Sequence, residues 1–299
     1  MPTIIDTVKL LKSLSDNAEK EAEARNEVYL GVAGLALKYG QWRDFGAKKI
    51  FVFKKTVTEL EDGQVGEGGS NDEPDPVVCV CVARIGAQDT WLGSDANWTG
   101  PSQYTKTFAH VTLATGLENP ASMPEGEPFG PHWGPVCAQV TAIMQSACDG
   151  KPITSGGPED RRLVARHALF QVLPEDETER QQVLTDIAQK PAFFDIKNWP
   201  VFTDQAKADI RAIYESHMIM PLPAFDSEEK IIEPLQYRAA LTGSLAIVSF
   251  RIVGWVLKRT RRFRCEIVNI DVLKPSDVER PKRTTPASSS RSPSKRLRA

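Results

Sequence analysis

The sequence lacks most of the signatures that assign a chain at sight. No apolar run approaches the roughly 20 residues that span a bilayer, so no membrane partner is expected. It contains no Gly-x-Ser-x-Gly, no His-Glu-x-x-His and no Walker motif, and its four histidines are isolated from one another. No catalytic residue and no cofactor is therefore assigned, and an enzyme would need a site assembled by the fold alone. The five cysteines (Cys79, Cys81, Cys137, Cys148 and Cys265) are odd in number and follow no framework spacing, as expected of reduced intracellular thiols. Cys79 and Cys81 stand two apart on a strand and share a face. The other candidate ligands (His110, His132, Cys137, Cys148) are scattered without a zinc pattern, so buried structural cysteines are expected and no metal. Residues 1–12 have no basic region followed by an apolar core, which argues against a secretory signal.

What is present is a composition of globular type, 41% hydrophobic and 25% charged over 299 residues. The net charge of −2 conceals an asymmetry. Residues 280–299 hold seven Lys or Arg and no acid, which leaves 30 basic against 39 acidic side chains in the rest. Positive charge also concentrates in one internal stretch. Residues 245–257 and 263–273 are β-branched and aromatic runs joined by Lys258-Arg259-Thr260-Arg261-Arg262, the strongest hairpin signal in the chain. Arg251, Lys258, Arg259, Arg261, Arg262 and Arg264 lie there with Trp255 and Phe263, and no acid falls between Arg251 and Arg264. Phosphates need cations and unstacked bases need a π surface, so this hairpin is the candidate nucleic-acid-binding site. Both faces of residues 245–257 are apolar, which makes Trp255 either a core residue or a stacking platform.

Elsewhere the periodicity predicts an N-terminal helix over residues 3–29, with Ile4, Val8, Leu11, Ser15, Ala18 and Ala22 on one side. Its second half lacks large apolar groups and reads as an exposed arm or a partner-packing helix. Residues 29–39 fit strand or short helix. Strands are expected at 48–57, 77–85 and 105–115, around an acidic loop at 59–75. The Pro- and Gly-dense run 119–135 should exclude regular structure. His132 and Trp133 within it could touch a ligand, although packing is the simpler reading. Helices are predicted at 136–148, 159–173, 176–189 and 203–220. Ser155-Gly156-Gly157 resembles a phosphate loop only superficially, since a helix cap before Pro158 explains it. Arg161, Arg162, Arg166 and His167 give the 159–173 helix a basic side.

From Ala224 the order is a short strand, a turn, Ile232-Glu233-Pro234 with Tyr237, then Gly243-Ser244-Leu245 opening the long hairpin. This order, over about residues 225–275, resembles part of an OB-fold, the Greek-key barrel of many single-stranded-DNA-binding proteins. The stretch IIEPLQYRAALTGSLAIVSF also resembles a segment of phage-type single-strand-binding proteins. The pattern FDxxxxxIxPxxYxxxLxGxLxxVxF…VLKP is similar to one shared by a group of uncharacterised proteins in fungal genomes. The resemblance implies an OB-like barrel with Trp255 and Phe263 as stacking residues.

The fold expected is thus α+β. An N-terminal arm (1–29) precedes a globular region (30–275) with a β-rich core and a helical middle. An OB-like unit at about 222–275 would be completed by strands within 48–115. The Ser/Pro-rich basic tail (276–299) is expected to be disordered. Its clusters Lys282, Arg283 and Lys295, Arg296, Arg298 suit nuclear targeting or phosphate contact, with the cytoplasm as the alternative location. The function expected is binding of nucleic acid, in single-stranded form. The alternatives are a homo-oligomeric assembly protein of mobile-element or capsid type, and an enzyme whose site the sequence hides.

Overall fold

The computed structural model describes residues 6–24, 26–54, 75–102, 105–256 and 260–276. The acidic loop at 59–75, apart from Asp75, and the tail from 277 lie outside them. The fold is α+β, built on a large mixed sheet.

Its spine is the predicted hairpin. Strands β10 (Leu245–Val256) and β11 (Arg261–Lys274) pair antiparallel from Leu245↔Lys274 to Val256↔Arg261. Val, Ile and Phe fill them because branched and aromatic side chains suit a pleated surface buried on its faces. A register shift between Ser249 and Phe250 leaves Val268 as the extra residue, and such a bulge bends and twists the strand. The outer edge of β10 changes partner at that point. Its first half pairs β4 (Cys79–Ile85) from Leu245↔Arg84 to Phe250↔Cys79. Beyond the bulge, Val253 and Gly254 pair β3 (Lys48–Phe53), which in turn pairs the edge strand β2 (Gly40–Phe45).

The remaining strands complete a circuit. β4 pairs β5 (Thr112–Glu118), and β5 pairs β6 (Leu163–Ala168) from Thr112↔Ala168 to Leu117↔Leu163. β6 then runs parallel to β11 through Ala165↔Cys265 and Arg166↔Glu266. The short strand β1 (Val28–Tyr29) adds to β4, β9 (Ala224–Phe225) adds to β11, and β7 (Phe170–Val172) forms a separate pair with β8 (His217–Ile219).

Helices close the core. α1 (Thr7–Glu23) turns Leu10, Leu11 and Leu14 towards Val82, Met123, Phe129 and Leu245, and buries Ala18 and Ala22. Of the expected stripe, Leu11, Ala18 and Ala22 face the core and Val8 is exposed; the alanine-rich half is the part most deeply seated, because small side chains allow close approach. After β1 the chain forms a short helix, α2 (Leu35–Tyr39). Helix α3 (Gly130–Ser146) buries Val136, Val140, Ile143 and Met144 as predicted, but it starts inside the Pro-rich run. Pro131 stands in its first turn, where an N–H has no intrahelical acceptor to lose. The next helices are α4 (Glu177–Ala188) and α5 (Asp204–Ile213), capped by Asp176 and Thr203. The predicted 159–173 helix does not exist. That stretch is β6 and β7, and the 203–220 helix stops at Ile213 ahead of β8.

The IxPxxYxxxLxG segment gains a physical account. α6 (Tyr237–Leu241) buries Tyr237 and Leu241, and the Tyr237 hydroxyl donates to the Leu222 carbonyl at 3.3 Å. Gly243 follows at φ +84°, where a side chain is strained, and its N–H donates to the Ile85 carbonyl at 2.7 Å. Among the described residues, no helix is long and apolar enough to cross a membrane.

His167 sits on the core-side face of β6 with its Nε2 2.8 Å from the Met220 carbonyl. Desolvation holds its pKa below the ordinary 6.5, although the carbonyls of Met220, Ile267 and Pro221 pull the other way. The folded protein then binds fewer protons than the unfolded chain below about 6.5. This contribution is fully present above that pH and is lost as pH falls towards the folded pKa. His167→Gln keeps a donor but cannot titrate, so the decline in denaturation free energy between pH 7 and pH 5 should become shallower than in the parent. An identical slope would refute this.

Candidate functional site

Strand alternation divides the predicted site residues between two faces. Cross-strand partners share a face, so Trp255 goes with Arg262, Val253 with Arg264 and Arg251 with Glu266. Gly254 goes with Phe263 on the opposite, inner face. Phe263 is correspondingly buried, lies 5.6 Å from the Trp42 ring and covers Gly254, where a Cβ would meet its ring at 2.7 Å. It is a core residue and not a stacking platform. Arg261 is buried on the same side, with its N–H donating to Thr154 Oγ1. Arg251 faces the Glu266 carboxylate at 3.6 Å. Lys258, Arg259 and the tail residues Lys282, Arg283, Lys295, Arg296 and Arg298 lie outside the described residues. Of the expected set, Trp255, Arg262 and Arg264 border a hollow on the outer face, and Arg251 does not.

That face is extended by residues the sequence reading had placed on a helix. In β6, Leu163 and Ala165 enter the core while Val164 and Arg166 face outward with Arg264. Leu, Ala and Arg are good helix formers, which masked the period-two pattern of Leu163–Ala168. The Gly156-Gly157-Pro158 break just ahead of it was the available signal for a new strand. The fourth contributor is Trp91, whose backbone bridges to Ala114 of β5. The Arg166 guanidinium lies 5.3 Å from the Trp91 ring centre, and that of Arg264 lies 5.3 Å from Trp255. Each ring holds a planar cation in place and leaves its N–H donors for an anion.

Two hollows adjoin along this face and share Trp91, Arg166 and Arg264. The first, about 940 Å³, is bordered by Arg162, Arg262, Trp255 and the Ser155–Gly157 turn. The second, about 930 Å³, is bordered by residues 96–100, His110, Thr112 and Ala168. Four guanidiniums meet in the first against Asp89 and Glu159, with Arg162 3.6 Å from Asp89. Burial and the neighbouring Arg264 both depress the pKa of Arg166, and Asp89 only partly offsets them. A half-buried cation repelled by another is an environment that an anion would relieve.

The loop between β4 and β5 that carries Trp91 is firmly held. Asp89, Ala96 and Asn97 adopt positive φ, a strain that persists only where surrounding contacts enforce it. Buried Asp95 accepts from the N–H groups of Phe202 and Thr203 at the start of α5, at 3.0 and 3.1 Å. Trp98 Nε1 donates to Asp209 at 2.7 Å, and Trp199 Nε1 donates to the Ser94 carbonyl at 3.0 Å. The wall of the groove is thus preorganised by α5 and the turn before it.

Other candidates resolve into structure. Trp133 is buried, with Nε1 donating to the Arg161 carbonyl, and His132 Nδ1 lies 3.4 Å from the Tyr29 hydroxyl. Cys79, Cys81 and Cys265 are buried, and burial pushes the Cys265 thiol up to about 12. No group of three or more His, Cys, Asp or Glu side chains among the described residues is placed to hold a metal ion.

The Ser155–Gly157 turn is no helix cap. It runs beside β11, with Ser155 paired to Arg262 and its carbonyl accepting from Phe263 N–H at 3.0 Å. Gly156 has φ +90°, and a Cβ there would fall 1.9 Å from the Phe263 carbonyl oxygen. Gly156→Ala should therefore cost about 1–3 kcal/mol in chemical denaturation. Gly157→Ala, which meets Ile153 at an ordinary 3.5 Å, should stay within about 0.5 kcal/mol of the parent. Equal effects would show that the turn is not locked against β11. A scan against protein-family models finds no match to this sequence, and a search of curated proteins finds none either.

Proposed function

We propose that the chain binds single-stranded nucleic acid, in the first place DNA, across the outer face of β5, β6, β10 and β11. The observation that carries this reading is the pair of cation-on-ring contacts, Arg166 on Trp91 and Arg264 on Trp255. Both border the first hollow, and Trp91, Arg166 and Arg264 also border the second. Phosphates neutralise the guanidiniums and unstacked bases find aromatic faces, a combination that a closed duplex does not offer.

The strand plan supports the same reading. Taken as strands one to five, β4, β5, β6, β10 and β11 pair in the order one-two-three-five-four and back to one, with three and five parallel. We read this order as that of an OB barrel, in which strands two and three, with the loops joining one to two and four to five, hold oligonucleotides. Of these two strands, β6 lends Val164 and Arg166 to the first hollow, and Thr112 of β5 and Ala168 of β6 border the second; Trp91 and Thr260 come from the corresponding loops. In this reading the barrel spans residues 79–274, so the strands completing the C-terminal unit are β4, β5 and β6, not β3. The basic tail would add targeting to the nucleus or further phosphate contacts.

Fluorescence-anisotropy titration of the full chain with a labelled single-stranded oligonucleotide, at two salt concentrations, tests the proposal. Arg166→Ala combined with Arg264→Ala should weaken binding at least tenfold and make the log–log salt dependence shallower by about 1.4, roughly 0.7 for each lost phosphate contact. Arg43→Ala, on β2 outside the groove, should bind as the parent does. Absence of binding at low salt, or full retention in the double variant, would overturn it.

A further inference from the structure

The two hollows differ in chemistry. All four guanidiniums border the first, whereas among the described residues the second has no lysine or arginine beyond the shared Arg166 and Arg264. The second instead offers small and uncharged groups: Thr112 and Ala168 from the sheet, and Asn97, Thr99 and Thr105 from its rim. Trp91 stands between the two, 42% exposed, so part of its ring is free to meet a ligand. At about 930 Å³ the second hollow lies within the range of small-molecule pockets. A phosphate placed there would gain little, while a flat, polar-edged base would find an aromatic wall and hydrogen-bonding side chains.

We infer, resting on the single-strand reading above, that the arginine-bordered hollow takes an internal phosphodiester and the neighbouring hollow takes one unstacked base beside it. The groove then recognises a phosphate-plus-base unit of a single strand, and not a uniformly charged track. Arg166 and Arg264 belong to both halves: they hold the phosphate where the strand crosses from one hollow to the other. The polar rim of the second hollow gives it the means to prefer some bases over others.

The test compares a labelled single-stranded hexamer with the same hexamer carrying one abasic residue, the residue being moved through each position in turn. For the parent protein, one position should cost roughly tenfold in affinity, the worth of one stacked base, while the salt dependence stays unchanged. Ala168→Phe, a strand-compatible substitution at an exposed position, fills the second hollow. It should abolish that abasic penalty and leave the salt dependence as in the parent. Arg166→Ala with Arg264→Ala should do the opposite, with a shallower salt dependence. Failure of every oligonucleotide to bind would remove the nucleic-acid reading and this inference together. Binding that is equal for all abasic hexamers, or matched by polyglutamate of the same charge, would remove the inference: charge alone would then account for binding.

Discussion

The pairing of β10 with β11 is the constraint on which the other parts depend. Each of these strands is too long to be satisfied by one partner on its outer edge. The bulge after Ser249 resolves this for β10 by handing its edge from β4 to β3. β11 divides its edge between β6 and β9. Once these docking positions are set, alternation along the hairpin decides the rest. Phe250, Ile252, Phe263 and Cys265 must point inward, and Arg262, Arg264 and Trp255 must point outward. This arginine- and tryptophan-bearing face is therefore a by-product of register. A slip by one residue would exchange its arginines for core side chains.

Electrostatics then give that face its character. An acidic body with a cluster of guanidiniums on one wall attracts anions to one place and discourages nonspecific adhesion elsewhere. The cluster is held close by side chains that are not charged: the Trp91 and Trp255 rings lie beneath two of the cations. Asp89 and Glu159 temper the field. Glu266 takes Arg251 out of it.

Much of the fold was legible because it rests on short-range pattern. The hairpin, β3, β4 and the capped helices α4 and α5 follow from periodicity and from Asp176 and Thr203. What was not legible depends on contacts far apart in the chain. Leu163–Ala168 is helical by local preference and a strand because β5 and β11 offer it partners on both edges. The buried half of α1 is made of alanines, whose value lies in what they allow to approach. At the site, Arg262, Arg264 and Trp255 were visible as a basic and aromatic run. Arg162, Arg166 and Trp91 come from elsewhere in sequence and join it only through pairing. Phe263 was misread because a one-residue step, invisible in composition, separates a platform from a core side chain.

The parallel join between β6 and β11 is only two residue pairs long, Ala165↔Cys265 and Arg166↔Glu266, and its partners stand 100 positions apart. Such a contact forms only after most of the chain between them is ordered, because the loop entropy must be met before the seam returns anything. The groove straddles this seam. Its two halves come from strands far apart in sequence, and in the native state they meet along one of the short joins of the sheet, no longer than that of β4 with β5. A ligand clasped by Arg166 on one side and Arg264 on the other would act as a suture across that join.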